Sequence, residues 1–265
     1  MVRDTLVRKD DGNDLMLLTI DIGNTNTVLG VFEGETLADS WRVRTQANAT
    51  SDELAFLYRG LIGEYKIDGV AVCSTVPAAL REIRRMAGRL FRHVPVVVVE
   101  PGTRTGVPIL IDNPKEAGAD RIMNTLAAHH LHGGPTIVVD FGTSTNIDVV
   151  SARGEFLGGA LAPGIEIALD ALASRAAQLR KVELVPPRSV IGKGTVEALQ
   201  SGMIYGVAGQ VDGLVRRIRA ELGTEATTVA TGGLAPLVLK ESETLQVHEP
   251  HLTLIGLRLV FAKNV

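Results

Sequence analysis

Apolar and polar positions alternate over short runs of this chain, break at glycine, and then recur at helical spacing, an order that predicts an α/β architecture. LLTIDIGNTNTVLGVF around Asp21 reads as an apolar strand, a tight glycine turn and a second strand; TIVVDFGTSTNIDVVS around Asp140 repeats the plan. The doubled pattern predicts a doubled domain. After the first copy, ETLADSWRVRT predicts a third strand and SDELAFLYRGLIGEYK a helix with Ser51 or Asp52 as N-cap. DGVAVCSTV predicts a core strand, PAALREIRRMAGRLF a helix opened by Pro77, and VPVVVVE a β-branched strand. A polar loop with Pro114 and Gly118 then precedes a helix over 119–132. In the second half, FLGGALAPGIEIALDALASRAAQL reads as a Gly-rich loop leading into an Ala-rich helix, and the stretch from Val190 to Leu222 as a loop with one or two helices. TTVATGGLAPLV runs a short strand into Gly232 and Gly233, and HLTLIGLRLVFAKNV closes the chain with an apolar stretch.

Composition narrows the class. A length of 265 residues suits two domains of roughly 100–150 residues each, here expected at 16–133 and 134–265. Lys plus Arg number 27 against 30 Asp plus Glu, a net charge of −3, so nothing pulls the chain generally toward nucleic acid or an anionic membrane. Cys73 is the only cysteine, which excludes an intrachain disulfide, argues against a Cys-based zinc site and fits a cytoplasmic setting. Apolar runs stop far short of the roughly 18 residues of a membrane span. Residues 1–15 are charge-mixed, lack the apolar core of a secretory signal, and read as a disordered extension.

The candidate chemistry sits at the strand ends. A buried carboxylate needs compensation, so Asp21 at the end of its strand suits a phosphate-bound magnesium ion, while Gly23, Asn24, Thr25, Asn26 and Thr27 offer donors for phosphate oxygens. An ordinary hairpin with an Asx turn explains one such motif equally well. The repeat at Asp140, Gly142 and Thr143 is more telling, because two facing loops clamp a triphosphate from both sides. Asp120 at a helix start suits a general base, or simply complements the helix dipole; Arg121 suits a substrate carboxylate, or a surface ion pair. His129, His130 and His132 lack the carboxylate or Cys that would complete a metal set and read as a solvated helix end. Cys73 reads as a small core residue.

DIGNTNT, DNPKEAGADRIMN, VDFGTST, GGALAPGI, GKGTVEALQSG and ATGGLA, in this order over residues 16–265, resemble type III pantothenate kinases. That resemblance implies two ribonuclease-H-like (actin-like ATPase) domains, each a mixed sheet flanked by helices, with an ATP cleft between them. It implies ATP-dependent phosphorylation of pantothenate to 4′-phosphopantothenate, the first step of coenzyme A synthesis, in a cytoplasmic homodimer. Carried over by residue, it makes Asp21, Ile22, Gly23, Asn24, Thr25, Asn26, Thr27, Val28 and Thr143 ATP contacts, with Asp21 serving magnesium directly or through water. It assigns Asp140 to a monovalent cation, K+ or NH4+, and Gly118, Ala119, Asp120, Arg121 and Thr195 to pantothenate, with Asp120 as the base. The chain departs from the common family pattern at Ile111, Ser144, Asn146 and Gly194; none of these removes a charged group the reaction requires. Another small alcohol as acceptor, and a non-catalytic nucleotide-binding regulator, stay open as alternatives.

Overall fold

Strand alternation in each half produces the same sheet twice. The computed structural model describes residues 15–175 and 182–265. The extension expected at 1–15 therefore lies outside the described residues except for Leu15, as does the part of the Ala-rich helix beyond Arg175. Strands β1 (Met16–Ile22), β2 (Asn26–Glu33) and β3 (Thr36–Arg44) form an antiparallel meander, with β4 (Gly69–Ser74) and β5 (Val96–Val98) added in parallel beyond β1, giving the order β3-β2-β1-β4-β5. In the second half β6 (Thr136–Phe141), β7 (Ser144–Val150) and β8 (Phe156–Pro163) repeat the meander. There β9 (Thr227–Thr231) and β10 (Val247–His248) repeat the parallel pair, in the order β8-β7-β6-β9-β10.

Three local expectations need correction. The glycine-rich stretch at 156–163 is strand β8, not a loop: a Cβ at Gly159 would overlap the Ile147 carbonyl, so small residues let β8 pair closely with β7. Thr50, one residue before the expected cap, opens α1 (Ser51–Ile62) with a reciprocal capping box to Glu53. The β-branched run at 94–100 yields only three strand residues.

Helices cover both sheets. Helix α1 and α2 (Pro77–Leu90) pack together on the first sheet around Tyr58, Ile83 and Met86; a fully buried side chain of this size contributes about 1.5–3 kcal/mol. On the second sheet lie α4 (Ile165–Arg175), the 28-residue α5 (Thr195–Leu222) and the short α6 (Ala235–Val238). Two helices tie the halves together. Helix α3 (Ala119–His132) touches β4 as well as β6 and β7, and the apolar C-terminal stretch is α7 (Leu252–Asn264), which returns to pack on β1, β4 and α3. A Cβ at Gly256 would overlap the Met123 carbonyl, so the α3–α7 contact requires glycine there. This crossing pair holds the ends of β1 and β6, and with them Asp21 and Asp140, in a fixed relation.

Candidate active site

Each meander turns at a glycine and delivers a threonine to the cleft between the sheets. Gly23 N–H donates to the Asn26 carbonyl (3.0 Å) and Gly142 N–H to the Ser144 carbonyl (3.0 Å), closing the turn after β1 and a tighter one after β6. The turn tips meet: the hydroxyls of Thr25 and Thr143 are hydrogen-bonded at 2.8 Å across 118 residues of sequence. Beneath them opens a cavity of about 320 Å³, lined among others by Asp21, Thr25, Asn26, Val28, Asp140 and Thr143.

Other members of the first loop turn away from it. Ile22 is buried in the core, and Thr27 is buried with its hydroxyl bonded to Thr45 Oγ1 (2.9 Å); both can meet a ligand only through backbone. Asn24 is exposed in the turn, outside the lining.

Four carboxylates converge from β1, α3, β6 and β7. Burial pushes Asp21 up to about 7, reinforced by the negative charge of Asp120. Burial does the same to Asp140, also up to about 7, with Asp120, Asp21 and Asp148 adding to the rise. Asp120 itself is raised by burial, against the pull of the Arg121 N–H and guanidinium. The compensation present is thin: Asp21 receives the Cys73 thiol (Sγ to Oδ1, 3.3 Å) and Asp140 the Asn124 amide (3.4 Å), which Thr253 Oγ1 orients by donating to Asn124 Oδ1 (2.8 Å). Carboxylates with such weak partners fit cations bound at this end of the cleft. Among the described residues no group of three or more His, Cys, Asp or Glu is placed to hold a metal ion.

The Gly118–Arg121 segment lies outside the cavity lining but acts on it electrostatically, as the shifts of Asp21 and Asp140 show. Gly118 precedes α3, and a Cβ there would stand 2.5 Å from Asp120 Oδ1, so only glycine leaves the carboxylate its place. Ala119 packs against the core cluster of Met123 and Leu257. Arg121 is committed within the protein: its Nε and Nη2 both donate to Asp148 Oδ1 (2.8 and 2.5 Å), and its guanidinium lies 5.0 Å over the Phe156 ring. Asp148 is fully buried, its Oδ2 has no partner, and burial outweighs Arg121 to push it up to about 6. Thr195 opens α5 at the surface, outside the cavity lining.

Sequence reasoning missed Asp148, Asn124, Arg42 and the hydrogen-bonding role of Cys73. Asp148 was detectable as a lone charge in the otherwise apolar stretch Ile147–Val150; the others depend on contacts between distant elements. The histidines of α3 are partly packed, His132 standing 3.7 Å from Glu249 and His129 against Gly154, rather than wholly solvated.

Comparison with known proteins agrees with this geometry. The family model for type III pantothenate kinase matches residues 17–217. The chain is 83% identical over 250 residues to the type III pantothenate kinase of Frankia alni, covering 94% of this chain and 100% of the relative. It is 67% identical over 254 residues to that of Acidothermus cellulolyticus, covering 94% and 99%. Among solved structures, the activator of 2-hydroxyisocaproyl-CoA dehydratase from Clostridium difficile with bound ADPNP aligns with TM-score 0.56 at 14% identity, over 94% of this chain and 96% of that one. A ROK family protein from Streptococcus pneumoniae in complex with sucrose aligns with TM-score 0.52 at 14% identity, over 93% and 97%. At these identities the structures speak for the fold alone, two mixed sheets flanked by helices. The sequence relatives go further, and by them the chain belongs to the type III pantothenate kinase family.

Proposed function

We propose that this chain transfers the γ-phosphoryl group of ATP to the primary hydroxyl of pantothenate, the first step of coenzyme A biosynthesis, with Asp120 as the general base. The observation that carries the residue assignment is the Thr25–Thr143 contact, which closes two phosphate loops over Asp21 and Asp140 with Asp120 in electrostatic reach. The loop N–H and hydroxyl groups hold the polyphosphate in line with the acceptor, so that most of the rate comes from positioning and charge stabilisation. The Asp120 carboxylate takes the hydroxyl proton, the alcohol oxygen bonds to the γ-phosphorus, and the bond to the β-phosphate oxygen breaks to release ADP. Its raised pKa brings its basicity nearer to working pH. Magnesium at Asp21 and a monovalent cation, K+ or NH4+, at Asp140 would neutralise phosphate charge when bound. In this assignment Arg121 reaches the pantothenate carboxylate from its place on Asp148.

The domains proposed, 16–133 and 134–265, share the cleft, with α7 crossing back to the first sheet. A cytoplasmic homodimer completes the reading. No helix among the described residues is long and apolar enough to cross a membrane. Leu161 (70% exposed), Ile191 (78%) and Val196 (52%) form apolar surface on β8 and around the start of α5, beside Thr195, which suits burial against a second copy.

The test follows 4′-phosphopantothenate directly by mass spectrometry, with ATP, magnesium, and potassium exchanged for sodium. Potassium-dependent product is expected. Asp120→Asn should lower kcat by about 10²–10⁴-fold while leaving ATP affinity intact. Near-normal turnover would remove Asp120 as the base.

A further inference from the structure

One cation in the cleft has no role in the assignments above. Arg42 sits on β3, the edge strand of the first sheet, exposed to the cleft and lining the same cavity as Asp21 and Asp140. Strand register fixes its place: Asp21 pairs with Val28, and Val28 pairs with Arg42. The three residues thus form one row on one face, with the acidic and basic ends about 10 Å apart across two strand spacings. Its guanidinium crosses toward the second sheet, where a Cβ at Gly233 would stand 2.8 Å from Nη1. No carboxylate or other side chain among the described residues holds that guanidinium in an ion pair or hydrogen bond. Its electrostatic neighbours are Asp21 on one side and His251 on the other; His251 is kept below the usual histidine range by burial first and Arg42 second.

We propose that Arg42 binds the non-transferred phosphates of the nucleotide, the end of the polyphosphate chain remote from Asp120. This rests on the kinase reading above. Asp120 opens α3, and one turn further along that helix Asn124 donates to Asp140 (3.4 Å), so the acceptor and the reactive phosphate belong at the carboxylate end. The phosphates that stay with ADP then extend along the row toward Arg42 and Gly233. A guanidinium there offers forked N–H donors to two phosphate oxygens, where a lysine presents only a point charge. Because ADP keeps these phosphates, the contact persists through ground state, transition state and product. Arg42 therefore governs nucleotide affinity more than the chemical step.

The test is direct binding of ADP and of adenosine, by calorimetry without pantothenate, to the wild-type protein and to Arg42→Gln and Arg42→Lys. Arg42→Gln should weaken ADP by about 10- to 100-fold and raise the KM for ATP in parallel, with adenosine affinity and kcat within about threefold of wild type. Arg42→Lys should recover part of the loss. Unchanged ADP affinity would overturn the proposal. Equal weakening of ADP and adenosine would overturn it too, by showing a change of pocket shape. So would a fall in kcat at constant KM, which would move Arg42 to the transferred phosphate. Wild-type protein that binds no ADP would instead sink the kinase reading itself, and this assignment with it.

Discussion

Asp148→Asn removes a buried charge whose burial cost exceeds what its partner Arg121 returns. Asn preserves the shape of the buried side chain and leaves Arg121 an acceptor, removing only the charge. In the folded protein burial pushes Asp148 from 3.8 up to about 6, so holding it ionised at pH 8 costs about 3 kcal/mol relative to the unfolded chain. That cost is already net of Arg121, whose hydrogen bond and charge both pull the Asp148 carboxyl down against burial. The neutral amide should therefore be the more stable protein at pH 8, by up to about 3 kcal/mol or about 6–12 °C in Tm. The pH dependence tests the cause. A carboxyl with a raised folded pKa contributes stability that is fully present below the unfolded value of 3.8 and lost as pH rises through about 6. About 1.4 kcal/mol of that loss falls between pH 5 and pH 8, so wild type should lose about 3–6 °C relative to Asp148→Asn over that interval. Thermal melts of both proteins at the two pH values report Asp148 together with its coupling to Asp140, since the remaining titrating groups are shared. A wild type that gains on the variant as pH rises, or a variant that melts clearly below wild type at pH 8, would refute the reasoning: the ion pair would then outweigh the burial cost. If Arg121 serves pantothenate, the KM for pantothenate should rise in the variant while ADP affinity stays constant.

Gly118→Ala should reduce kcat by about 10- to 100-fold through displacement of the Asp120 carboxylate. Because φ −61° and ψ 145° at Gly118 are open to alanine, Tm should move by no more than a few degrees, and a normal kcat would show that the carboxylate accommodates the methyl group. Asp21 and Asp140 are both raised to about 7, so the ligand-free protein loses their contribution as pH climbs from about 4 through 7. Added magnesium–ADP with potassium should therefore raise Tm more at pH 8 than at pH 6, as read by scanning fluorimetry; a larger rise at pH 6 would contradict the placement of cations at these carboxylates.

The fold was legible where local pattern and tertiary role coincide. The two Asp–apolar–Gly strand ends predicted the internal duplication, and the sheets carry the same strand order in both halves. Helix α3 begins at Ala119 and ends at His132 as its apolar spacing predicts. The 156–163 strand was hidden because its glycines serve close pairing with β7, a demand set by the neighbouring strand rather than by local propensity. The return of α7 to the first sheet was hidden because nothing near residue 252 specifies which sheet its apolar face will meet. In the site, Asp21, Asp140 and Thr143 were legible from the repeated turns. Arg42 was not, since WRVRT presents two arginines on alternate positions of an edge strand, and only the cleft opposite one of them distinguishes Arg42 from Arg44.

The distribution of charge over these residues has a chemical logic that the motifs alone do not express. Asp21 and Asp140 line one end of the cleft with Asp120 and Asp148 behind them, and Arg121 directs two of its donors to Asp148. A bare triphosphate entering that end would meet the Asp21 and Asp140 carboxylates with little compensation, a repulsion strengthened by burial. Positive charge arriving with the nucleotide removes it, and it also lowers the pKa of Asp21 and Asp140 so that they bind as anions. Arg42 supplies the opposite bias at the far end of the same strand row. A nucleotide laid with its retained phosphates on Arg42 and its cation-bearing γ-phosphate at the carboxylates satisfies both ends; the reversed orientation satisfies neither. Orientation for in-line transfer is then a property of the first sheet's register, set before the acceptor alcohol meets Asp120.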